Sequence, residues 1–294
     1  MSRRGGRQQD NGVGGTTGTG ETGREGPTGQ TGGAGTSRRR RGSRDDQFAP
    51  VPYRPPVSKE QRVLFIACEG EVTEPQYLDH LNARYGDGGD GERQPFLIHP
   101  ISAKNGLIPS RTVAAIRDLK QAEGEEAWVL FDRDGHHDIP KALREAAEAN
   151  IQVCFSHPSF DLWLLLHFQA MSGRQSGSSK EIVKKLRAAH PAYKSFDVKN
   201  DKSVKGERRD ALDDKAAKQA VKHARSLVNQ CEHGGCKADN RKPRAVPRGS
   251  APESDRKWAA RSGHAEDCPV LKRDPSTDVW RLLVSLGIVD DRSR

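Results

Sequence analysis

The sequence predicts an α/β fold with a mostly parallel four-stranded sheet flanked by helices, and three observations predict it. Short apolar runs at residues 62–68, 95–101, 127–131 and 151–155 have the length and composition of buried strands. Helical patterns of about a dozen residues separate them, and connections of that length are crossovers, which make paired strands parallel. The third run, Ala127-Trp128-Val129-Leu130-Phe131, stops abruptly at Asp132-Arg133-Asp134-Gly135, a pair of carboxylates followed by glycine. In sheets of this kind ligands bind at the carboxyl ends of the strands.

Taken in order, Arg62-Val63-Leu64-Phe65-Ile66-Ala67-Cys68 reads as the first strand, broken by Glu69-Gly70-Glu71. Thr73-Glu74-Pro75 opens a helix, with Thr73 as its expected N-cap and Pro75 in the first turn. Tyr77, Leu78, Leu81 and Tyr85 fall on one face of that helix. A polar, glycine-rich loop at 87–93 leads to the second strand, and residues 109–120 form a helix with Val113, Ile116 and Leu119 inward. After the third strand come an amphipathic helix at 139–150, the fourth strand, and a helix starting at Pro158-Ser159 within the dense apolar run SHPSFDLWLLLHF.

The organisation expected is a core domain at residues 60–170 between two different flanks. Residues 1–50 repeat Gly, Thr, Arg and Ser with almost no apolar side chains, so they cannot offset their chain entropy by burial and are expected to be a disordered tail. Residues 171–294 are a basic, mainly helical extension, with polar helices at 180–189 and 210–229, a loop-rich stretch at 232–256 and a last amphipathic helix at 277–286. The net charge of +9 permits a polyanionic partner. Its basic runs include 199–209, which could hold a nucleic-acid backbone or be a solvated face. No apolar leader opens the chain, and no apolar stretch approaches the ~18–20 residues that span a bilayer. With five cysteines, an odd number, a reducing cytoplasm is the expected location and a membrane is not an expected partner.

Three carboxylates carry the chemistry. Glu69 ends the first strand and Asp132 and Asp134 end the third, so in a parallel sheet they share one edge and can converge. Oxygen donors of this type suit Mg²⁺ (or Mn²⁺), which would relieve the like-charge crowding and can bridge a phosphate. Glu69 has a second possible role in general acid–base chemistry if crowding raises its pKa. Acids that merely cap a strand are the plainer alternative.

Taken together, FIACEGEVTEPQY, VLFDRDG and FSHPSFDLWLLLHF resemble the RloB family, also called AbiLii-like, and the E-G and D-x-D strand ends resemble the Toprim fold of topoisomerases, primases and OLD-type nucleases. The match covers residues 60–170, with a weaker echo at Asp274-Pro275-Ser276-Thr277. The resemblance implies a Toprim-like, Mg²⁺-dependent nuclease of bacterial antiphage defence and abortive infection. It implies a tRNA or DNA substrate and a partner ATPase of the ABC or AAA type. It carries Glu69, Asp132 and Asp134 over as catalytic and metal positions. The family usually has Glu where this chain has Asp161, one methylene shorter, which leaves Asp161 as a further candidate ligand. Glu71 is given a supporting role, and Glu74 that of compensating the helix dipole.

His157 and His167 are candidates for supporting groups beside the metal site. Asp161 follows His157 by four residues and could share its helical face; a buried acid paired with histidine to fix the helix accounts for the same pattern. Cys231, Cys236, His264 and Cys268, with His233 nearby, have roughly zinc-finger-like separations, and a structural Zn²⁺ would help a polar region fold. Their spacing fits no tight signature, and free cysteines in a mobile region are the preferred expectation. Two other functions compete with the nuclease. A strand ending in Asp-x-Asp-Gly also opens the haloacid-dehalogenase pattern of phosphohydrolases, although that strand comes first in such enzymes and here it comes third. A non-catalytic regulatory subunit of a defence ATPase is the other.

Overall fold

Strand β1 (Arg62–Cys68) lies between β2 (Phe96–Ile101) and β3 (Glu125–Asp132), parallel to both. The computed structural model describes residues 61–290 apart from 90–92, 120, 121, 123, 174–176, 240–242, 244, 245 and 247–249; the tail expected at residues 1–50 lies outside the described residues. Strand β4 (Gln152–His157) is parallel to β3 on its other side. A fifth strand, absent from the expectation, is the two-residue β5 (Ser276–Thr277), which pairs antiparallel with the end of β4. The sheet order is therefore β2-β1-β3-β4-β5.

Side chains alternate across a pleated strand, and here the alternation sorts them into two cores. Leu64, Ile66 and Cys68 of β1, Trp128 and Leu130 of β3 and Cys154 of β4 face one side. Val63, Phe65 and Ala67, Val129 and Phe131, and Val153 and Phe155 face the other. The runs lack the polar alternation of a half-exposed sheet because helices cover both faces.

The first face is covered by α1 (Thr73–Tyr85), α4 (Asp161–Leu166), α5 (Ser179–Ala189), α7 (Asp214–Asn229) and α9 (Trp280–Ser285). The second is covered by α2 (Pro109–Arg117), α3 (Ile139–Glu148) and α8 (Asp255–Ala259). One further turn, α6 (Glu207–Asp210), precedes α7. The inward face read from the sequence for α1 holds, and so do Val113 and Ile116 of α2; Leu119 lies past the end of α2 and is only partly buried. Thr73 does not cap α1: it lies inside the helix and its hydroxyl donates to the Lys202 carbonyl at 3.0 Å.

Position 170 does not separate two cores. Trp163 and Leu164 pack in one cluster with Ile182, Leu186, Val221, Trp280 and Leu283 from the C-terminal region. The final helix starts later than expected, at Trp280, because Ser276 and Thr277 are taken into the sheet. Among the described residues no helix is long and apolar enough to cross a membrane.

Candidate active site

Chain order reverses between β1 and β3: from β1 the sheet grows to β2 on one side and to β3, β4 and β5 on the other. This is a topological switch point, where crossovers leave on opposite faces and open a crevice at the carboxyl ends of the strands. A cleft of about 560 Å³ lies there, and its lining includes Glu69, Glu71, Glu74, Asp132, Asp134 and Asp161.

Glu69 follows the last residue of β1 and bridges to β3. Its Oε2 accepts from the Asp132 backbone N–H at 2.8 Å, and its Oε1 lies 2.8 Å from His136 Nε2. Burial raises the Glu69 carboxyl above its ordinary pKa, opposed by the Asp132 N–H and by His136. Asp132 reaches across to the next segment, accepting from the Phe160 N–H at 2.8 Å. Burial raises its carboxyl well above the usual range, and the neighbouring charges of Glu69 and Glu74 add to that. Asp134 is exposed at the rim, where it accepts from the Ser179 hydroxyl at the start of α5. Its backbone has φ +24°, an uncommon conformation for a residue other than glycine. The turn is held by Arg133 N–H on Ser156 O at 2.8 Å and Asp134 N–H on Pro158 O at 3.1 Å.

Glu74 does lie in the first turn of α1, where an acid suits the helix dipole, but it is also buried beside the acidic cleft, and burial raises its carboxyl to about 7. Its Oε1 accepts from the Gly70 N–H at 3.1 Å, and its carboxylate occupies the space that a Cβ on residue 70 would need. The glycine of the E-G pair leaves that space to the Glu74 carboxylate, which a larger residue at 70 would displace. Glu71 is peripheral: its Oε2 holds the Asn105 N–H at 3.0 Å and so fixes the loop that walls the cleft.

Asp161, at the start of α4, accepts from Lys202 Nζ at 2.9 Å and from the Ser159 hydroxyl at 3.5 Å. Burial raises its pKa, and the Lys202 ammonium opposes that. Lys202 comes from the basic stretch at 199–209, and it lines the cleft together with Asp197 and Asn200. Arg208 of the same stretch is buried and structural, donating to the carbonyls of Asp201 and Ser203.

His157 and His167 are not among the residues lining the cleft. His157 ends β4, so no helical face joins it to Asp161; its Nδ1 lies 3.7 Å from Asp274 Oδ1. His167 is buried against Trp163 and Tyr77, donating from Nδ1 to the Trp163 carbonyl at 2.9 Å. His136 has no role in the reading from sequence, and Lys202 has one only as part of the basic stretch at 199–209, not as the partner of Asp161. His136 had a local signal, since it directly follows Asp134-Gly135; Lys202 had the signal of its basic stretch, but nothing local tied it to Asp161, 41 residues away.

A family model described as RloB-like protein matches residues 64–286. The chain belongs to the RloB-like family. The RloB-like match begins within β1, ends just after α9, and so contains the whole cleft. Comparison with curated proteins gives no match, and comparison with solved structures gives none either.

Proposed function

We propose that this RloB-like protein is a Toprim-like, divalent-metal-dependent nuclease acting in bacterial antiphage defence. The observation that carries the reading is the meeting of Glu69 and Asp132 at the switch point of a parallel sheet, in one cleft with Asp134, Glu74 and Asp161. Like-charged carboxylates held at such close quarters are costly unless protonated or offset by a cation.

The donor chemistry suits a hard cation, which would have to draw these carboxylates closer together, because among the described residues they do not form a converged ligand group. Every candidate donor is a carboxylate oxygen, the ligand that Mg²⁺ and Mn²⁺ take, and an oxygen that already accepts one hydrogen bond keeps a second lone pair. Glu69, Asp132 and Asp134 would hold the ion, with Asp161 as a further donor; once bound it supplies charge neutralisation at a scissile phosphate. The paired Glu69 and His136 can move a proton to or from a reacting oxygen, since they sit within hydrogen-bond reach of each other at the cleft. Lys202 can exchange Asp161 for a substrate phosphate as its anionic partner. Exposed Lys199, Lys205 and Arg209 on the same stretch would track a polynucleotide backbone. The substrate class proposed is RNA, with tRNA first, or DNA, and a partner ATPase of the ABC or AAA type is part of the same reading.

Purified protein with Mg²⁺ or Mn²⁺ is expected to cut one of these nucleic acids. Asp132→Asn and Glu69→Gln should each lower the rate at least ~100-fold, the scale of removing a group that stabilises transition-state charge, with unchanged circular dichroism. Cutting that survives both substitutions would sink the proposal. Turnover of a simple phosphate ester with Glu69 dispensable would instead indicate the phosphohydrolase. Defence that persists in an Asp132→Ala/Asp134→Ala variant still bound to its ATPase would indicate a regulatory subunit.

A further inference from the structure

The cysteine–histidine set lies outside the acidic cleft, and the proposed nuclease chemistry makes no use of it. Cys231 follows the end of α7, and Cys236 closes the turn that comes after it. His264 and Cys268 lie beyond α8 on a second loop. The ligand atoms of these four residues all lie within 4.8 Å of one another. Among the described residues no other group of His, Cys, Asp and Glu converges in this way. The convergence of these four gives a reason to weigh a shared ligand against the free cysteines expected from spacing alone.

The distances separate the possible explanations. Cys231 Sγ and Cys268 Sγ are 3.7 Å apart, far beyond the ~2.05 Å of a disulfide. Four ligands at the corners of a tetrahedron around Zn²⁺, with Zn–S near 2.3 Å, place neighbouring sulfurs roughly 3.8 Å apart. Cys268 Sγ to His264 Nδ1, at 3.8 Å, is on the same scale. Three thiols and an imidazole are soft and borderline donors, the set that structural zinc takes and that Mg²⁺ does not.

The backbone is shaped for the same end. Gly234 and Gly235, between the first two cysteines, have φ of +61° and +70°, which lets the chain turn back within four residues. Gly263, directly before His264, has φ +99°, and a Cβ there would collide with the Lys237 and Ala238 backbone. The two loops are joined by Lys237 N–H on Gly263 O at 2.8 Å. The Ala265 N–H points at Cys236 Sγ at 3.3 Å, and His233 Nδ1 lies 3.3 Å from Cys231 Sγ. Contacts of this type from the surrounding shell orient ligands and tune them.

We propose that Cys231, Cys236, His264 and Cys268 bind one structural Zn²⁺ that staples the loop after α7 to the loop before β5. The staple lies where apolar side chains are scarce and a metal can substitute for a core. Buried Arg273 carries the constraint onward: its guanidinium donates to the carbonyls of Ala259, at 2.6 Å, and Cys268, at 3.1 Å. Three residues later Ser276 begins β5, which holds the end of β4 beside the candidate active site.

The test is metal analysis of the full chain, purified without chelator from zinc-supplemented cells. About one zinc per chain is expected, the stoichiometry of a closed Cys₃His site. Co²⁺ exchanged into the protein should show the visible and sulfur-to-metal charge-transfer bands of tetrahedral thiolate coordination. Cys236→Ser, at a half-exposed position, should reduce bound zinc to background, while Cys236→His retains it. Asp132→Asn should leave zinc content unchanged, which keeps this outcome separate from that of the nuclease. Wild-type protein with neither stoichiometric zinc nor cobalt bands would overturn the proposal, as would undiminished zinc in Cys236→Ser.

Discussion

His167 is a basic side chain kept neutral by its surroundings. Burial among Tyr77, Trp163 and Phe168 lowers its pKa from 6.5 to about 4, so the folded protein excludes a proton that the unfolded chain accepts. The contribution to stability is complete above pH 6.5 and is lost as pH falls toward 4. At about 1.36 kcal/mol per pKa unit the loss is on the order of 3 kcal/mol. His167→Gln, which does not titrate, should flatten the dependence of urea unfolding on pH in that window. An unchanged slope would mean that His167 takes up its proton in the folded state. Glu74 shows the opposite sign at the same scale: a carboxyl raised to about 7 by burial and by the acids beside it.

Among the elements, α4 and the loop before α6 are bound through one ion pair. Lys202 Nζ reaches Asp161 at 2.9 Å, with the carboxylate buried and the ammonium partly exposed. Lys202→Met would leave that carboxylate without its charged partner, and in chelator the loss of stability should be roughly 2 kcal/mol. The double variant with Asp161→Asn should recover most of it, because no charge is then stranded. Denaturant titration of the four proteins measures the coupling directly. Without coupling, Lys202 would be a cleft cation with no structural role. The N-caps of α5 and α7 follow the ordinary rules, with Ser178 accepting from Glu181 N–H and Asp213 from Ala216 N–H. Their side chains make the helices start where they do, and Ser179, the first residue of α5, ties that start to Asp134 at the cleft rim.

For the molecule as a whole, the last residues complete the first core. Val279, Trp280, Leu282, Leu283 and Leu286 are all buried. Arg62 at the start of β1 donates to Glu126 of β3 and to the Ser285 carbonyl and hydroxyl. Burying five such side chains at about 1.5–3 kcal/mol each is comparable to the whole stability of an ordinary domain. Removing residues 276–294 should therefore unfold the protein, although it leaves every carboxylate of the cleft in the chain. Circular dichroism of the truncated chain is the check; a folded, two-state product would show that the first core closes without residues 276–294.

What the sequence by itself determined was local and periodic. Apolar runs of strand length, crossover-length connections and abrupt acidic ends are properties of neighbouring residues, and they place Glu69, Asp132 and Asp134 on one edge before any coordinates are known. The same locality explains what could not be read. Glu74 and Thr73 look like surface residues at a helix start, and only the packing of Gly70 and Lys202 against them shows otherwise. Lys202 meets Asp161 from 41 residues away. Cys231 and Cys268 approach across 37 residues through two loops whose closure depends on glycine conformations and on Arg273. Ser276 and Thr277 have the pattern of a helix start, yet the free edge of β4 takes them as a strand. Spacing along the chain records how each element is made. Only tertiary packing, which sets long loops against one another and leaves chosen groups without water, decided which distant side chains share a site.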